Sequence, residues 1–148
     1  MRKAIILSFM IFICSCNNTI MGTKNNSISE NSIDEKDRLQ EKAIKAYYEA
    51  NIDDQEKSEI LLEDVVIVKD LGIYNHCYVS VITCNAIEYS AEMQETIVED
   101  IVFEYTNGKK PLAYDEKSDK LYNLDTAYQN NLLSYDNIKQ IYNIFCTK

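Results

Sequence analysis

The sequence predicts an α+β fold: an N-terminal helix, an antiparallel sheet of about five strands and two C-terminal helices. Two observations lead to this prediction. Apolar residues recur at helical spacing near both ends of the folded part, whereas β-branched and aromatic runs fill the middle. Short polar turns join these runs, and parallel pairing would need longer crossovers. We therefore expect antiparallel strands with the helices packed on one side of the sheet.

The first helix is predicted to begin at Ser32 and to end near Asn51. The segment Ser32–Glu35 matches a capping box, in which a serine hydroxyl and a glutamate side chain satisfy backbone N–H groups. An apolar stripe at helical spacing follows, made of Leu39, Ala43, Ala46, Tyr47 and Ala50.

Three apolar runs are predicted as strands, Val65–Val68, Tyr74–Thr83 and Thr96–Tyr105. Their β-branched and aromatic residues favour extended structure. Leu71-Gly72 separates the first run from the second. Both faces of Tyr74–Thr83 are apolar, which predicts a central strand. Asp100 conflicts with the third run and suggests a bulge.

Asn107-Gly108 predicts a two-residue hairpin, since both residues tolerate the positive φ of a type I′ turn. The return strand would be Leu112–Tyr114, with Pro111 at its start, and Leu121–Leu124 would complete a three-stranded meander.

Two helices are predicted at the C-terminus. Asp125 would cap a short one, and Ser134 would cap the last one. The last helix has an apolar face made of Ile138, Ile141, Tyr142 and Phe145.

The N-terminal segment has the marks of a secretory signal. Arg2 and Lys3 precede an apolar run over residues 4–13, which is too short for a membrane-spanning helix of about 20 residues. The run ends in Ile13-Cys14-Ser15-Cys16, which resembles the lipobox of bacterial lipoproteins. That resemblance implies cleavage before Cys16 and lipid, including palmitate, on its thiol. The alternative is an ordinary secretory signal with an incidental cysteine.

The predicted organisation is a signal peptide over residues 1–15, a lipidated cysteine with a flexible tether over 16–31, and a single α+β domain over 32–148. A cysteine with two or more acyl chains would anchor the chain stably. The resemblance implies a location at the bacterial cell membrane or outer membrane, facing away from the cytoplasm.

The chain is acidic, with a formal charge of −9. Removing Arg2 and Lys3 with the signal would bring it to −11. An acidic surface argues against nucleic-acid binding, which needs basic residues to displace counterions. We also expect no polybasic attraction to anionic lipid.

Three further cysteines lie in the predicted domain, Cys77, Cys84 and Cys146. Cys77 and Cys84 lie on one predicted strand, roughly 23 Å apart at 3.3 Å per residue, too far for a disulfide. Cys146 could pair with either, or all three could be buried thiols.

The sequence predicts no metal, no cofactor and no catalytic site. His76 is the only histidine, and no C-x-x-C or H-x-x-x-H spacing accompanies it. On a strand, His76 and the adjacent Cys77 would point to opposite faces. Cys77 or Cys84 as a nucleophile activated by His76 is a less favoured alternative.

The paired carboxylates are interpreted as solvated surface charge rather than as acid/base pairs or a calcium loop. They are Glu63 with Asp64, Glu99 with Asp100, and Asp115 and Glu116 with Asp119.

Eleven tyrosines are present. The first interpretation is a tyrosine-rich core and sheet face. The alternative is a binding face that includes Tyr74, Tyr78 and Tyr89, on an exposed side of the sheet or in the loop over residues 85–94.

The second half of the chain resembles a small domain common in bacterial lipoproteins and secreted proteins. The resemblance rests on Tyr74-Asn75, Phe103 and Tyr105, Asn107-Gly108, Pro111-Leu112, Leu121-Tyr122, Leu124-x-x-Ala127-Tyr128, Leu132-Leu133-Ser134, Ile138 and Ile141. Lys117-Ser118 departs from it, because a glycine is expected there. The resemblance implies fold and compartment but no activity.

These observations predict a membrane-anchored envelope lipoprotein that acts as a non-enzymatic binding module for an envelope or extracellular protein. The alternatives are an envelope enzyme or enzyme inhibitor with an unrecognised site, and a purely structural or antigenic surface lipoprotein.

Overall fold

The computed structural model describes residues 30–148, with side chains from residue 33 onward. The predicted signal peptide, Cys16 and most of the predicted tether lie outside the described residues. The helices and strands are α1 Glu30–Asn51, β1 Val65–Tyr74, β2 Cys77–Cys84, β3 Gln94–Val98, β4 Ile101–Tyr105, β5 Pro111–Asp115, β6 Lys120–Asn123, α2 Leu124–Gln129 and α3 Tyr135–Cys146. The predicted α+β class, with one helix before the strands and two after them, is confirmed.

Four strands form an antiparallel sheet in the order β1-β2-β5-β6, and β3 pairs with β4 in a separate two-stranded sheet. The prediction that the helices lie on one side is wrong, because α1 covers one face of the larger sheet, whereas α2, α3 and the β3–β4 hairpin cover the other. All eight residues of β2 are buried. A strand whose two faces are both apolar is stable only when other elements of the fold pack on each face.

Each face of the larger sheet has its own core. The core under α1 contains Leu39, Ala43, Tyr47, Ile52, Ile60, Val65, Tyr78, Ile82, Cys84, Leu112 and Tyr114. The opposite core contains Leu71, Tyr74, Cys77, Val79, Val81, Val98, Phe103, Ala113, Leu124, Ala127, Leu133, Ile138 and Ile141. The period of two along β2 and β5 divides their side chains between these cores.

Helix α1 begins at Glu30, two residues before the predicted cap at Ser32, and it ends at Asn51 as predicted. The stripe predicted for its inner face is buried at Leu39, Ala43 and Tyr47.

Strand β1 is longer than predicted, because it continues through Leu71-Gly72 to Tyr74. Gly72 has a φ of +108° beside a register shift between Asp70 and Gly72. A residue without Cβ adopts this conformation readily, so the strand bends there instead of ending. A turn at Asn75 (φ +58°) and His76 then reverses the chain, and the predicted central strand therefore begins at Cys77.

The hairpin predicted at Asn107-Gly108 does not form, although both residues have positive φ, +55° and +69°. Strands β4 and β5, on either side of this turn, belong to different sheets. The predicted strand Thr96–Tyr105 is itself a hairpin. It reverses at Glu99 and Asp100, whose φ values are +43° and +70°. Asp100 is therefore a turn residue and not a bulge.

Asn123 caps α2, its side chain accepting from the N–H of Thr126 at 2.7 Å, and the predicted cap at Asp125 is wrong. The cap predicted at Ser134 is confirmed, because its hydroxyl accepts from the N–H of Asn137 at 3.2 Å.

Candidate functional site

His76, Cys77 and Asp115 meet at one end of the larger sheet. Cys77 begins β2 and pairs with Asp115, which ends β5, so their side chains lie on the same face. One potential ligand atom from each of the three residues lies within 4.8 Å of the other two. The prediction that His76 and Cys77 point apart is wrong, because His76 belongs to the turn between β1 and β2 and not to a strand.

Asp115 is the centre of this cluster and is only 4% exposed. Its Oδ1 lies 3.1 Å from His76 Nε2 and accepts from the N–H of Lys117 at 3.2 Å. Its Oδ2 accepts from the N–H of Ser118 at 3.1 Å and from the Ser118 hydroxyl at 2.6 Å. The interpretation of Asp115 as solvated surface charge is therefore wrong, because the carboxylate fixes the turn that follows β5.

Burial on its own would raise the pKa of Asp115. The opposite effect is larger: the Ser118 hydroxyl and the N–H groups of Lys117 and Ser118 donate hydrogen bonds to the carboxylate, and His76 lies beside it. The pKa of Asp115 is therefore lowered. Hydrogen bonds to the charged form favour that form. The cluster thus contains a fixed, ionised carboxylate at neutral pH.

Cys77 is fully buried. Burial raises the pKa of its thiol to about 11, and the charge of Asp115 adds to the effect. The reactive form of cysteine is the thiolate, and nucleophilic cysteines have lowered pKa values. Burial and the raised pKa therefore give no support to Cys77 as a nucleophile activated by His76.

The other two cysteines of the described domain lie elsewhere. Cys84 ends β2 and is buried in the core under α1, whereas Cys146 is exposed at the end of α3. Cys77, Cys84 and Cys146 are all free thiols. Cys77 and Cys84 lie at opposite ends of one strand, which agrees with the prediction that they cannot pair.

Two of the three tyrosines suggested for a binding face are buried, in opposite cores. Tyr74 is 8% exposed and donates to the carbonyl of Leu71 at 2.8 Å. Tyr78 is 0% exposed and accepts from Gln40 Nε2 at 3.2 Å. Burial raises the pKa of Tyr78 to about 12. These two side chains support the interpretation as core, and they do not share an exposed face.

Tyr89 is half-buried and borders a surface cavity of about 370 Å³. Its hydroxyl lies 2.8 Å from that of Tyr47 and accepts from the N–H of Cys84 at 3.3 Å. Its ring packs on Gly108 so closely that a Cβ there would lie 2.5 Å from it. Tyr89 thus attaches the loop after β2 to α1 and to the turn before β5.

Two adjoining cavities of about 350 and 370 Å³ form a groove between α1 and β6. We call it the charged groove. It is lined by Lys42, Lys45, Ala46, Glu49, Ala50, Glu116, Asp119, Lys120 and Leu121. Glu116 accepts from Arg38 and, at 3.3 Å, from Lys42, which fixes the β5–β6 turn against α1. The hydrogen bond from Arg38 is the main reason that the pKa of Glu116 is lowered.

Asp115 was considered in the sequence only as one of several carboxylates and was interpreted as surface charge, not as a partner of His76 and Cys77. The spacing Asp115-x-x-Ser118 was a usable signal, since aspartate often accepts from backbone N–H groups two or three residues further on. Its pairing with Cys77 depends on the register of two strands that are distant in sequence, so it could not be inferred from the residues around Asp115.

Comparison of the chain with known protein families, with curated proteins and with solved structures found no match. Among the described residues, no helix is both long and apolar enough to cross a membrane.

Proposed function

We propose that this chain is a lipid-anchored bacterial envelope lipoprotein whose domain binds another protein without catalysing a reaction. The observation that carries the proposal is the tetrapeptide Ile13-Cys14-Ser15-Cys16, which follows a charged start and a short apolar run. The first described element, α1, begins at Glu30. Thirteen residues separate it from Cys16, and at full extension they reach roughly 45 Å. The anchor and the binding domain are then separate parts of the chain.

Replacing Cys16 with serine is expected to move the expressed protein from the detergent phase to the aqueous phase and to abolish incorporation of labelled palmitate. The physical reason is that each buried methylene of an acyl chain contributes about 0.8 kcal/mol to membrane affinity.

The matched control is Cys14→Ser, which leaves the proposed lipidated thiol in place and should leave partitioning and labelling unchanged. Unchanged labelling of the Cys16→Ser variant would show that the lipobox interpretation is wrong.

The charged groove is the surface that best supports the binding proposal. Strand β6 ends the order β1-β2-β5-β6, so within the described residues one side of its backbone has no partner strand. An extended peptide can add to such an edge through main-chain hydrogen bonds. Lys45 and Glu49 on α1 form an ion pair with an N–O distance of 3.8 Å, and their side chains are 69% and 61% exposed. Both would be accessible to charges on that peptide. We infer an extended, charged segment of an envelope protein as the occupant.

A photo-cross-linking amino acid at position 45 of the full chain, expressed in bacteria, is expected to give one discrete protein adduct. Position 139 on α3 is the control, because Lys139 is similarly exposed, at 50%, but α3 packs on the other face of the sheet. Absence of an adduct from position 45, or the same adducts from both positions, would contradict binding in the charged groove.

A further inference from the structure

We propose that His76, Cys77 and Asp115 form a binding site for one divalent transition-metal ion, with Zn²⁺ as the best match. This inference does not depend on the lipid anchor or on the charged groove. It rests on three ligand types that converge within 4.8 Å: the adjacent residues His76 and Cys77, where the β1–β2 turn enters β2, and Asp115 at the end of β5.

The distances suit a tetrahedral site after a small movement. Zn–N and Zn–O bonds of about 2.0–2.2 Å and a Zn–S bond of about 2.3 Å place ligand atoms roughly 3.3–3.7 Å apart. His76 Nε2 and Asp115 Oδ1 are already 3.1 Å apart. Cys77 and Asp115 are fixed by their register in the sheet. His76 lies in a turn with 27% of its side chain exposed, so it is the ligand that can move onto the ion.

The donor set selects the class of ion. Imidazole nitrogen and thiolate sulfur suit Zn²⁺ and its neighbours in the transition series, whereas Mg²⁺ and Ca²⁺ prefer oxygen ligands throughout. Three protein ligands leave a fourth tetrahedral position for water. That position would lie on the partly exposed His76 side of the cluster, since Cys77 and Asp115 are buried.

The surroundings of Asp115 resemble those that orient metal ligands. Three hydrogen bonds from Lys117 and Ser118 fix its carboxylate, and such outer partners hold ligands in place in known sites. On binding, the S–H bond of Cys77 would be replaced by a Zn–S bond. The proton would pass to the buffer, so no oxidant or reductant is needed.

The test is metal titration of the full chain, purified in detergent, with Zn²⁺ and with Co²⁺ as a spectroscopic probe. We expect saturable binding of one ion at this site, a thiolate-to-Co²⁺ charge-transfer absorption and a higher melting temperature with Zn²⁺. His76→Gln should weaken Zn²⁺ binding at least about tenfold, the lower end of the loss seen even for outer partners of metal ligands. Cys77→Ser should remove the charge-transfer absorption.

Two variants serve as matched controls. Cys84→Ser changes the other buried thiol of β2, and Cys146→Ser changes the exposed thiol of α3. Neither should alter binding at this site. If Cys77→Ser fails to fold, His76→Gln still decides the question, because the imidazole lies in a partly exposed turn. Absence of saturable binding, or equal affinity of His76→Gln and the unchanged chain, would overturn the proposal.

Discussion

Replacing Phe103 with alanine is expected to lower the free energy of unfolding by about 3–5 kcal/mol. Phe103 is 0% exposed and attaches the β3–β4 hairpin to α3. Its ring centroid lies 5.5 Å from that of Tyr142 in an edge-on contact and 5.7 Å from that of Phe145. Alanine removes both aromatic contacts and leaves a cavity that the surrounding elements fill only in part. Chemical denaturation followed by circular dichroism measures the loss.

Ile97→Ala is the matched control, because Ile97 lies in the same hairpin but is 53% exposed. Truncation of Ile97 should lower the free energy of unfolding by less than about 1 kcal/mol. Phe103→Leu keeps part of the buried volume and should fall between the two. Equal losses for Phe103→Ala and Ile97→Ala would show that Phe103 does not anchor the hairpin.

The helices could be predicted from the sequence because their signals are local. The cap at Ser134 and the face with Ile138 and Ile141 lie within one short segment. The same holds for the buried stripe of α1, where Leu39 and Ala43 follow at helical spacing. The observed start of α1 lies two residues before the predicted one, and helix ends are usually uncertain by one or two residues.

Strand pairing could not be predicted to the same extent. Asn107-Gly108 has the backbone of a turn, but turn chemistry does not decide which strands pair. Strand β5 pairs with β2, whose buried backbone N–H and C=O groups need hydrogen-bond partners along both edges. The turn at Glu99 and Asp100 was missed because positive φ is uncommon for non-glycine residues, and glutamate is not among those enriched there.

The candidate metal site was missed for a related reason. The argument that His76 and Cys77 point apart holds only on a strand, and the turn at Asn75 removes that condition. Asp115 joins them through the register of β2 and β5, which are separated by the β3–β4 hairpin in sequence. Contacts between distant strands depend on the whole fold and not on local propensity.

Replacing Asp115 with asparagine is expected to lower the free energy of unfolding at pH 7 by about 1.5–3 kcal/mol, the range for a hydrogen bond to a charged group. The variant keeps a side chain of similar size but loses the charge that accepts from Ser118 and from the N–H of Lys117. The comparison is made with a chelator present, so that a bound metal ion does not contribute. Chemical denaturation at several pH values measures the difference.

The sign of the pH dependence follows from the lowered pKa of Asp115. Because its folded-state pKa lies below the usual value near 3.8, the carboxylate stabilises the fold above that value. The contribution disappears as the pH falls through the folded-state pKa. The stability curves of the unchanged chain and Asp115→Asn should therefore converge in acid. Asp54→Asn is the control, because the Asp54 side chain is 96% exposed and forms an ion pair with Lys57, three residues away. This substitution should lower the free energy of unfolding by less than about 1 kcal/mol. A constant difference between the Asp115→Asn and unchanged curves down to strongly acidic pH would show that the charge of Asp115 does not stabilise this turn.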